Sequence, residues 1–232
     1  MPEIVVIIPA LNEERAIGKV LAHIPKNIAA EIVVVDNNSC DATSEVVLNF
    51  GATVVHEPRK GYGFACLKGI EYVLSIPKKP DIVVFLDADY SDRPEEMTNL
   101  VQPILQQGYD MVIGSRLLGR REKGAMPWHQ VLGNRLAIML INALYGVHYT
   151  DLGPFRAIKF DSLLKLDMKE QRYGWTAEMQ AKAARQRFRC FEVPVTYRAR
   201  IGTSKISGTA KGTLCAGYSI LATLLRNRWA YD

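Results

Sequence analysis

Short runs of β-branched residues alternate with helical hydrophobic patterns through the first half of the chain. The runs predict strands at residues 4–8, 31–36, 53–56, 81–86 and 110–114. The patterns between them predict helices at residues 13–24, 42–49, 62–75 and 94–106. Short strands that alternate with helices are typical of βαβ crossovers. We therefore expect an α/β fold with a mainly parallel, doubly wound sheet and helices on both faces.

The second half of the chain has a less regular pattern. Residues 117–127 are charged, contain glycine and show no apolar period, so we interpret them as a mobile flap. Helical patterns follow at 130–145 and 176–187, then a strand at 191–197 and a polar loop at 198–213. At 232 residues we expect one domain, in which the second half is a subdomain built onto the sheet.

The two halves also differ in charge. Residues 1–112 carry 9 basic and 16 acidic residues, a net charge of −7, whereas residues 113–232 carry 20 basic and 8 acidic residues, a net charge of +12. A basic half suits phosphate groups or an anionic surface, although solvated helix faces explain part of the excess. Because no nucleic-acid-binding motif accompanies it, we do not expect nucleic acid as a partner.

Cysteine usage and the start of the chain indicate a cytoplasmic protein. Cys40, Cys66, Cys190 and Cys215 are widely spaced and form no C-x-x-C pair, which favours reduced thiols over a zinc site. The chain begins directly with a strand pattern, where a signal peptide would have a charged and then an apolar region.

Two apolar stretches, residues 136–147 and 214–225, fall short of the ~20 residues that cross a bilayer. Each is either a core helix or a helix lying at a membrane interface. Residues 226–229, Arg-Asn-Arg-Trp, form a basic and aromatic flank that suits lipid headgroups. This flank favours a C-terminal amphipathic helix at the inner face of the membrane.

Polar residues follow three of the predicted strands. The first strand leads into residues 9–14, Pro-Ala-Leu-Asn-Glu-Glu, the second into residues 36–39, Asp-Asn-Asn-Ser, and the fourth into residues 87–89, Asp-Ala-Asp. Ligands of doubly wound sheets sit beyond the carboxyl ends of the strands, so we expect these side chains to line one crevice.

Asp87 and Asp89 are the strongest candidates for a metal site. Two hard oxygen ligands at a strand end suit Mg²⁺ or Mn²⁺, which keep positions open for phosphate oxygens. Such an ion neutralises the charge that develops on a diphosphate leaving group. Two carboxylates that cap a turn, or the helix near Pro94, are an alternative that the D-x-D pattern alone does not exclude.

Taken together, these motifs resemble the family-two inverting glycosyltransferases. The resemblance rests on residues 8–14, on residues 34–39 with Asp41 and Thr43, and on residues 87–89 and 114–116. Residues 151–157, 192–195 and 202–205 further resemble the dolichyl- and polyprenyl-phosphate mannose or glucose synthases. Where such synthases often carry a third polar metal ligand, this chain has Ser91, followed by Asp92 as a candidate substitute.

The resemblance implies a GT-A fold and an inverting hexosyltransferase with a GDP- or UDP-hexose donor and a polyprenyl-phosphate acceptor. Residues 1–114 would bind the nucleotide sugar, and residues 115–232 would form the acceptor side. It also implies Mg²⁺ or Mn²⁺ at Asp87 and Asp89, with Asp89 catalytic. The expected nucleotide-binding residues are Pro9, Asn12, Glu13, Asp36, Asn37, Lys60 and Asp87. The expected acceptor- and phosphate-binding residues are Arg116, Arg135, Arg156, Ser204 and Lys205.

The need for a catalytic base depends on the acceptor. A phosphate acceptor is already an anion, whereas a hydroxyl acceptor needs a base, for which Glu178 and Asp151 are candidates. Either carboxylate could instead cap or pair locally.

Two alternative functions remain open, and two other enzyme classes lack their expected motifs. A soluble transferase with a small-molecule or polysaccharide acceptor and a non-catalytic nucleotide-binding homologue remain alternatives. A dehydrogenase is excluded because no G-x-G-x-x-G follows the first strand. A sugar nucleotidyltransferase would carry a glycine-rich, arginine-containing first loop, which this chain lacks. The oligomeric state is left open.

Overall fold

The computed structural model describes residues 2–202 and 210–229, and within these residues a seven-stranded sheet forms the centre of the molecule. Its strands are β1 Ile4–Ala10, β2 Glu31–Asp36, β3 Thr53–His56, β4 Ile82–Phe85, β5 Met111–Ser115, β6 Arg156–Lys159 and β7 Cys190–Pro194. They lie in the order β3-β2-β1-β4-β6-β5-β7, and β6 runs antiparallel to both of its neighbours. The predicted α/β fold with a mainly parallel sheet is confirmed.

Helices cover both faces of this sheet. They are α1 Ile17–His23, α2 Thr43–Asn49, α3 Tyr62–Ser75, α4 Met97–Gln107, α5 Trp128–Tyr145, α6 Phe160–Leu166, α7 Trp175–Arg185 and α8 Ala210–Trp229, with a 3₁₀ turn at Pro94–Glu96. Because side chains alternate along a strand, Val5 and Ile7 of β1 pack with α3, α5 and α7, whereas Ile4, Val6 and Ile8 pack with α1 and α4. Burial on both faces explains why β1 is apolar throughout.

The antiparallel strand β6 is the main feature that the sequence pattern did not predict. Arg156 of β6 pairs with Phe85 of β4 on one side and with Ile113 of β5 on the other. The strand therefore joins the two halves of the chain in one sheet, and β5 and β7 extend that sheet. The expected subdomain is thus continuous with the sheet that carries the first half.

The two long helices α5 and α8 each combine a buried face with exposed apolar residues. Ala137, Ile138 and Ile141 of α5 are buried, as is Leu224 of α8. The exposed apolar side chains are Trp128, Leu132, Leu136 and Met139 of α5, and Tyr218, Leu221 and Leu225 of α8. Of the helices in the described ranges, none has the combined length and apolar character to cross a membrane.

Candidate functional site

The ends of β1, β2 and β4 meet at one edge of the sheet. Ala10 pairs with Asp36, and Ile7 pairs with Phe85, so the segments that follow these three strands are neighbours. The backbone N–H of Asn12 donates to the Ser39 hydroxyl at 2.9 Å. The structure therefore brings together the polar segments that were expected to form a crevice.

The first segment is fixed by further contacts with the residues after β2. The Asn12 side-chain oxygen accepts a hydrogen bond from Cys40 N at 2.8 Å, and Asn12 has a left-handed backbone with φ of 53°. The N–H of Glu13 donates to the Thr43 hydroxyl at 2.8 Å. Pro9 is buried within β1. These contacts hold the segment in place, and the expected nucleotide contacts remain predictions.

Asp36 is held by neutral donors. Its carboxylate accepts hydrogen bonds from Ser39 N at 2.9 Å and from the Ser44 hydroxyl at 2.5 Å, and the ring of His56 lies 3.6 Å away. Burial favours the neutral acid, but the hydrogen bonds from Ser39 and Ser44 outweigh it and lower the pKa of Asp36 below its ordinary value. Asp36 is therefore an anion at neutral pH.

Asn37 binds the loop that leads into α3. Its amide group donates to the carbonyls of Glu57 at 3.1 Å and Arg59 at 2.7 Å, and its oxygen accepts from Gly61 N at 2.8 Å. These contacts engage both ends of the amide, so the side chain positions this loop. Lys60 is exposed within the loop.

The start of α3 packs tightly against residues 170–172. Gly63 N and Phe64 N donate to the carbonyls of Arg172 and Gln171 at 3.2 and 2.9 Å. A Cβ on Gly63 would lie 2.1 Å from the Glu170 carbonyl oxygen, so this position requires glycine. Because these two backbone N–H groups already bind protein carbonyls, they are not available to a phosphate group at this helix start.

The two carboxylates of the D-x-D motif have different surroundings. Asp87 is partly exposed and accepts a hydrogen bond from the Tyr62 hydroxyl at 3.0 Å. Burial raises the pKa of Asp87, and the charge of Glu13 adds to that effect, against the opposing charge of Arg200. Asp89 is 3% exposed and forms an ion pair with Arg200.

Asp92, the candidate substitute for a third metal ligand, is a buried acid. It is 1% exposed, and neither carboxyl oxygen has a hydrogen-bond partner among the described residues. Burial raises the pKa of Asp92 to about 8, and the negative charge of Asp87 contributes. Ser91, the other candidate for a third ligand, donates from its N–H and its hydroxyl to Asp89 instead, at 2.9 and 2.5 Å.

The donor set suits a divalent cation that is shared with a ligand. Asp87 and Asp89 supply hard oxygen atoms at one strand end. In the part of the chain that the structure describes, no three His, Cys, Asp or Glu side chains form a group that could hold a metal. Two carboxylates that leave positions open for phosphate oxygens and water fit Mg²⁺ or Mn²⁺ better than a site made only of protein ligands.

Arg116 and Asp151 form a buried ion pair beside this site. The Arg116 guanidinium donates to both Asp151 oxygens at 2.8 and 2.7 Å, and Arg116 N donates to the same carboxylate at 2.7 Å. Burial lowers the pKa of Arg116, but the Asp151 charge and hydrogen bonds outweigh burial and raise it. Asp151 is 0% exposed, so in this conformation it does not act as a base toward a substrate hydroxyl.

Arg156 lies inside the molecule. Its side chain is 0% exposed, and its guanidinium donates to the carbonyls of Gly153 and Thr176. Burial lowers the pKa of Arg156 to about 10. Arg156 therefore positions the turn at Gly153 and the start of α7, and this location does not agree with the expected contact to a ligand phosphate.

Glu178, the other candidate base, holds a turn. Its carboxylate accepts hydrogen bonds from Lys169 N at 3.1 Å and Glu170 N at 2.7 Å, and it forms an ion pair with Lys182 at 2.8 Å. With its oxygens engaged in this way, Glu178 is a local cap, which was the alternative interpretation.

The remaining candidates are less defined by the structure. Arg135 is exposed on α5. Ser204 and Lys205 lie outside the described residues. The binding of phosphate by these three residues remains a prediction.

Comparison with known proteins agrees with the sequence motifs. The family model for Glycosyl transferase family 2 matches residues 5–167. A dolichyl-phosphate hexose transferase of Haloferax volcanii is 34% identical over 97% of this chain and 96% of its own length. An uncharacterized glycosyltransferase of Mycobacterium bovis is 35% identical over 92% of this chain and 94% of its own length.

Solved structures share the fold. Glucosyl-3-phosphoglycerate synthase from Mycobacterium tuberculosis, crystallised with Mn²⁺, UDP and glucosyl-3-phosphoglycerate, aligns with a TM-score of 0.74 at 23% identity. The alignment covers 97% of this chain and 80% of that protein. This similarity extends the α/β fold to nearly the whole chain.

Proposed function

Because the chain belongs to glycosyl transferase family 2, we propose that it transfers a hexose from a GDP- or UDP-hexose to a polyprenyl phosphate, with inversion at the transferred carbon and with Mg²⁺ or Mn²⁺. Membership of the family makes the protein a glycosyltransferase. The observation that carries the proposal is the position of Asp87 and Asp89 beside the segments that follow β1 and β2.

The donor occupies the edge formed by β1, β2 and β4. Asn12, Glu13 and Asp36 present polar groups for the base and ribose, as an acidic residue after a strand does in dinucleotide-binding folds. Asp87 and Asp89 hold the cation, which when bound neutralises the charge on the departing diphosphate. The structural relative crystallised with UDP and Mn²⁺ is consistent with this use of the fold.

The occupied carboxylates favour a phosphate acceptor. Asp151 is paired with Arg116, and Glu178 binds Lys169, Glu170 and Lys182. A hydroxyl acceptor would require one such carboxylate to give up its partners, whereas a phosphate oxygen attacks as an anion without a base. The full-length similarity to a dolichyl-phosphate hexose transferase supports the same class of acceptor.

The exposed apolar residues of α5 and α8 suit an acceptor that resides in a membrane. The two helices are in contact, since the Tyr145 hydroxyl donates to the Leu224 carbonyl at 2.8 Å. Trp128 of α5 and Tyr218 of α8 are 77% and 76% exposed, and Arg226 and Arg228 lie in the last turn of α8. Amphipathic helices with basic and aromatic residues bind at the headgroup level, so we place the enzyme at the inner face of the membrane as a peripheral protein.

A transfer assay tests this proposal. Purified protein is incubated with Mn²⁺, with labelled GDP-mannose or UDP-glucose, and with a polyprenyl phosphate in detergent, and label in the lipid extract is counted. We expect lipid-bound label that depends on Mn²⁺ and falls about 10²–10³-fold in Asp89→Asn, as when one group that stabilises developing charge is lost. Equal transfer to a water-soluble alcohol without lipid would overturn the polyprenyl-phosphate acceptor and favour a soluble transferase.

A further inference from the structure

Arg200 is the cation that Asp89 binds in this structure. One Asp89 oxygen, Oδ1, accepts both hydrogen bonds from Ser91. The other oxygen, Oδ2, accepts from the Arg200 guanidinium. Because Oδ1 is already engaged twice, Oδ2 is the oxygen that a metal ion would use, and Arg200 occupies that position.

The segment that carries Arg200 is attached to the D-x-D turn independently of this ion pair. Ile201 N donates to the Asp89 carbonyl at 3.0 Å, and Arg198 N donates to the Ser91 carbonyl at 2.8 Å. The Arg198 guanidinium donates to the Asp92 carbonyl at 2.9 Å and lies 3.7 Å from the centre of the Tyr90 ring. The Arg200 side chain, 31% exposed, can therefore leave Asp89 while its backbone stays in place.

We propose that Arg200 is an exchangeable counter-ion of Asp89. Its guanidinium pairs with Asp89 Oδ2 until a divalent cation displaces it, and the displaced guanidinium then binds the diphosphate of the donor. The inference rests on the proposed function. A divalent cation coordinated by Asp89 Oδ2 and a guanidinium hydrogen-bonded to the same oxygen would repel each other strongly. The backbone of Arg200 is held beside the D-x-D turn, so the released guanidinium would remain near a diphosphate bound there. Arginine binds phosphate oxygens with two parallel hydrogen bonds.

Metal affinity measured without donor tests the exchange. Mn²⁺ is titrated into the full-length protein, and free Mn²⁺ is followed by electron paramagnetic resonance. Arg200→Ala and the uncharged but polar Arg200→Gln should bind Mn²⁺ roughly tenfold more tightly than the parent, the order expected when a charged hydrogen bond no longer competes. Arg198→Ala is the matched control, because it removes a positive charge from the same segment but leaves the ion pair between Arg200 and Asp89 intact. Its Mn²⁺ affinity should match that of the parent.

The outcomes separate this inference from the function on which it rests. If the parent and both Arg200 variants bind Mn²⁺ equally well, Arg200 does not compete with the metal, although the metal site stands. If Arg198→Ala tightens Mn²⁺ binding as much as Arg200→Ala, the tighter binding results from loosening of residues 198–201, and the proposed competition between Arg200 and the metal is wrong. If neither parent nor variants bind Mn²⁺, the metal site of the proposed function fails, and the exchange fails with it.

Nucleotide affinity tests the second part of the exchange. At saturating Mn²⁺, GDP and UDP should bind about tenfold more weakly to Arg200→Ala than to the parent, by calorimetry, because a charged hydrogen bond to the diphosphate is lost. Arg198→Ala should bind both nucleotides as the parent does. Unchanged nucleotide binding in Arg200→Ala would show that the displaced guanidinium does not reach the diphosphate.

Discussion

The carboxylates Asp36 and Asp87, in the first half of the chain, are hydrogen-bonded by hydroxyl and backbone N–H groups, whereas Asp151 and Glu178, in the second half, are paired with Arg116 and Lys182. A carboxylate held by neutral donors keeps its negative charge available to a cation or a ligand. A carboxylate whose arginine or lysine partner is buried with it, as Arg116 and Lys182 are, does not. The carboxylates that we propose to bind the cation and the nucleotide therefore lie at the ends of β2 and β4, although the second half carries more charge overall.

Arg200 connects the two halves of the chain. It belongs to the basic second half, but its partner is Asp89 in the acidic first half. A net charge of +12 on residues 113–232 therefore does not measure how many cations can bind phosphate. Arg116 and Arg156 are buried and bind Asp151 and the Gly153 carbonyl, whereas the partner of Arg200 is Asp89, a proposed metal ligand.

The largest expected effect comes from breaking the buried pair of the second half. Asp151→Asn should lower the free energy of unfolding by about 3–5 kcal/mol, because it leaves the 6% exposed Arg116 guanidinium without its counter-charge. Urea unfolding followed by circular dichroism measures the change. Arg135→Ala, at an exposed position on α5, is the control and should change stability by less than about 0.5 kcal/mol. A loss below about 1 kcal/mol in Asp151→Asn would mean that the pair is not structural.

A smaller effect is expected where the halves pack together at the start of α3. Gly63→Ala should destabilise the protein by about 1–3 kcal/mol, since its Cβ would lie 2.1 Å from the Glu170 carbonyl oxygen, and residues 170–172 would have to move. Gly133→Ala is the matched control, because a Cβ there meets nothing within 4 Å and alanine favours the α5 helix. Thermal unfolding should rank Gly133→Ala at or above the parent and Gly63→Ala below it. Equal stability of the two variants would contradict the close packing.

Much of the fold could be predicted from the sequence because both faces of a parallel sheet are buried. The continuous apolar run of β1 followed by polar residues predicted the strand and the edge of the sheet where the polar segments meet. The strand β6 was missed because its four residues, Arg156 to Lys159, carry a cation at each end. Its Arg156 is buried through bonds to the carbonyls of Gly153 and Thr176, which no local pattern indicates.

The candidate site was predictable in part, for the same physical reason. Residues that follow strands are brought together by the strand register, so Asn12, Asp36 and Asp87 could be grouped from the sequence. Whether a charged side chain faces a ligand or a protein partner depends on contacts between residues far apart in the chain. Arg116 and Asp151 are 35 residues apart, and Asp89 and Arg200 are 111 residues apart. Spacing alone does not reveal such pairs.

The smallest expected effect concerns Asp36. Its carboxylate is hydrogen-bonded by neutral donors, whereas Asp151 and Glu178 in the second half are paired with cations. Hydrogen bonds from Ser39 and Ser44 hold the folded-state pKa of Asp36 below its ordinary value, despite burial. A depressed folded-state pKa stabilises the protein above the unfolded-state pKa, and this contribution is lost as the pH falls through the folded-state value. Compared with Asp36→Asn, the parent should be about 1 kcal/mol more stable at pH 7, the size of a typical net hydrogen bond.

That difference in stability should shrink as the pH falls below about 5, because protonation of Asp36 then removes the negative charge that Asp36→Asn also lacks. Urea unfolding of both proteins from pH 7 to the acid limit of folding gives the two curves. Ser44→Ala is the matched control, since it removes one donor to Asp36 and should lose part of the same pH-dependent difference. A gap that stays constant across the pH range would mean that Asp36 stabilises the fold through its shape and not through its charge, and the contrast with Asp151 would then rest on the second half alone.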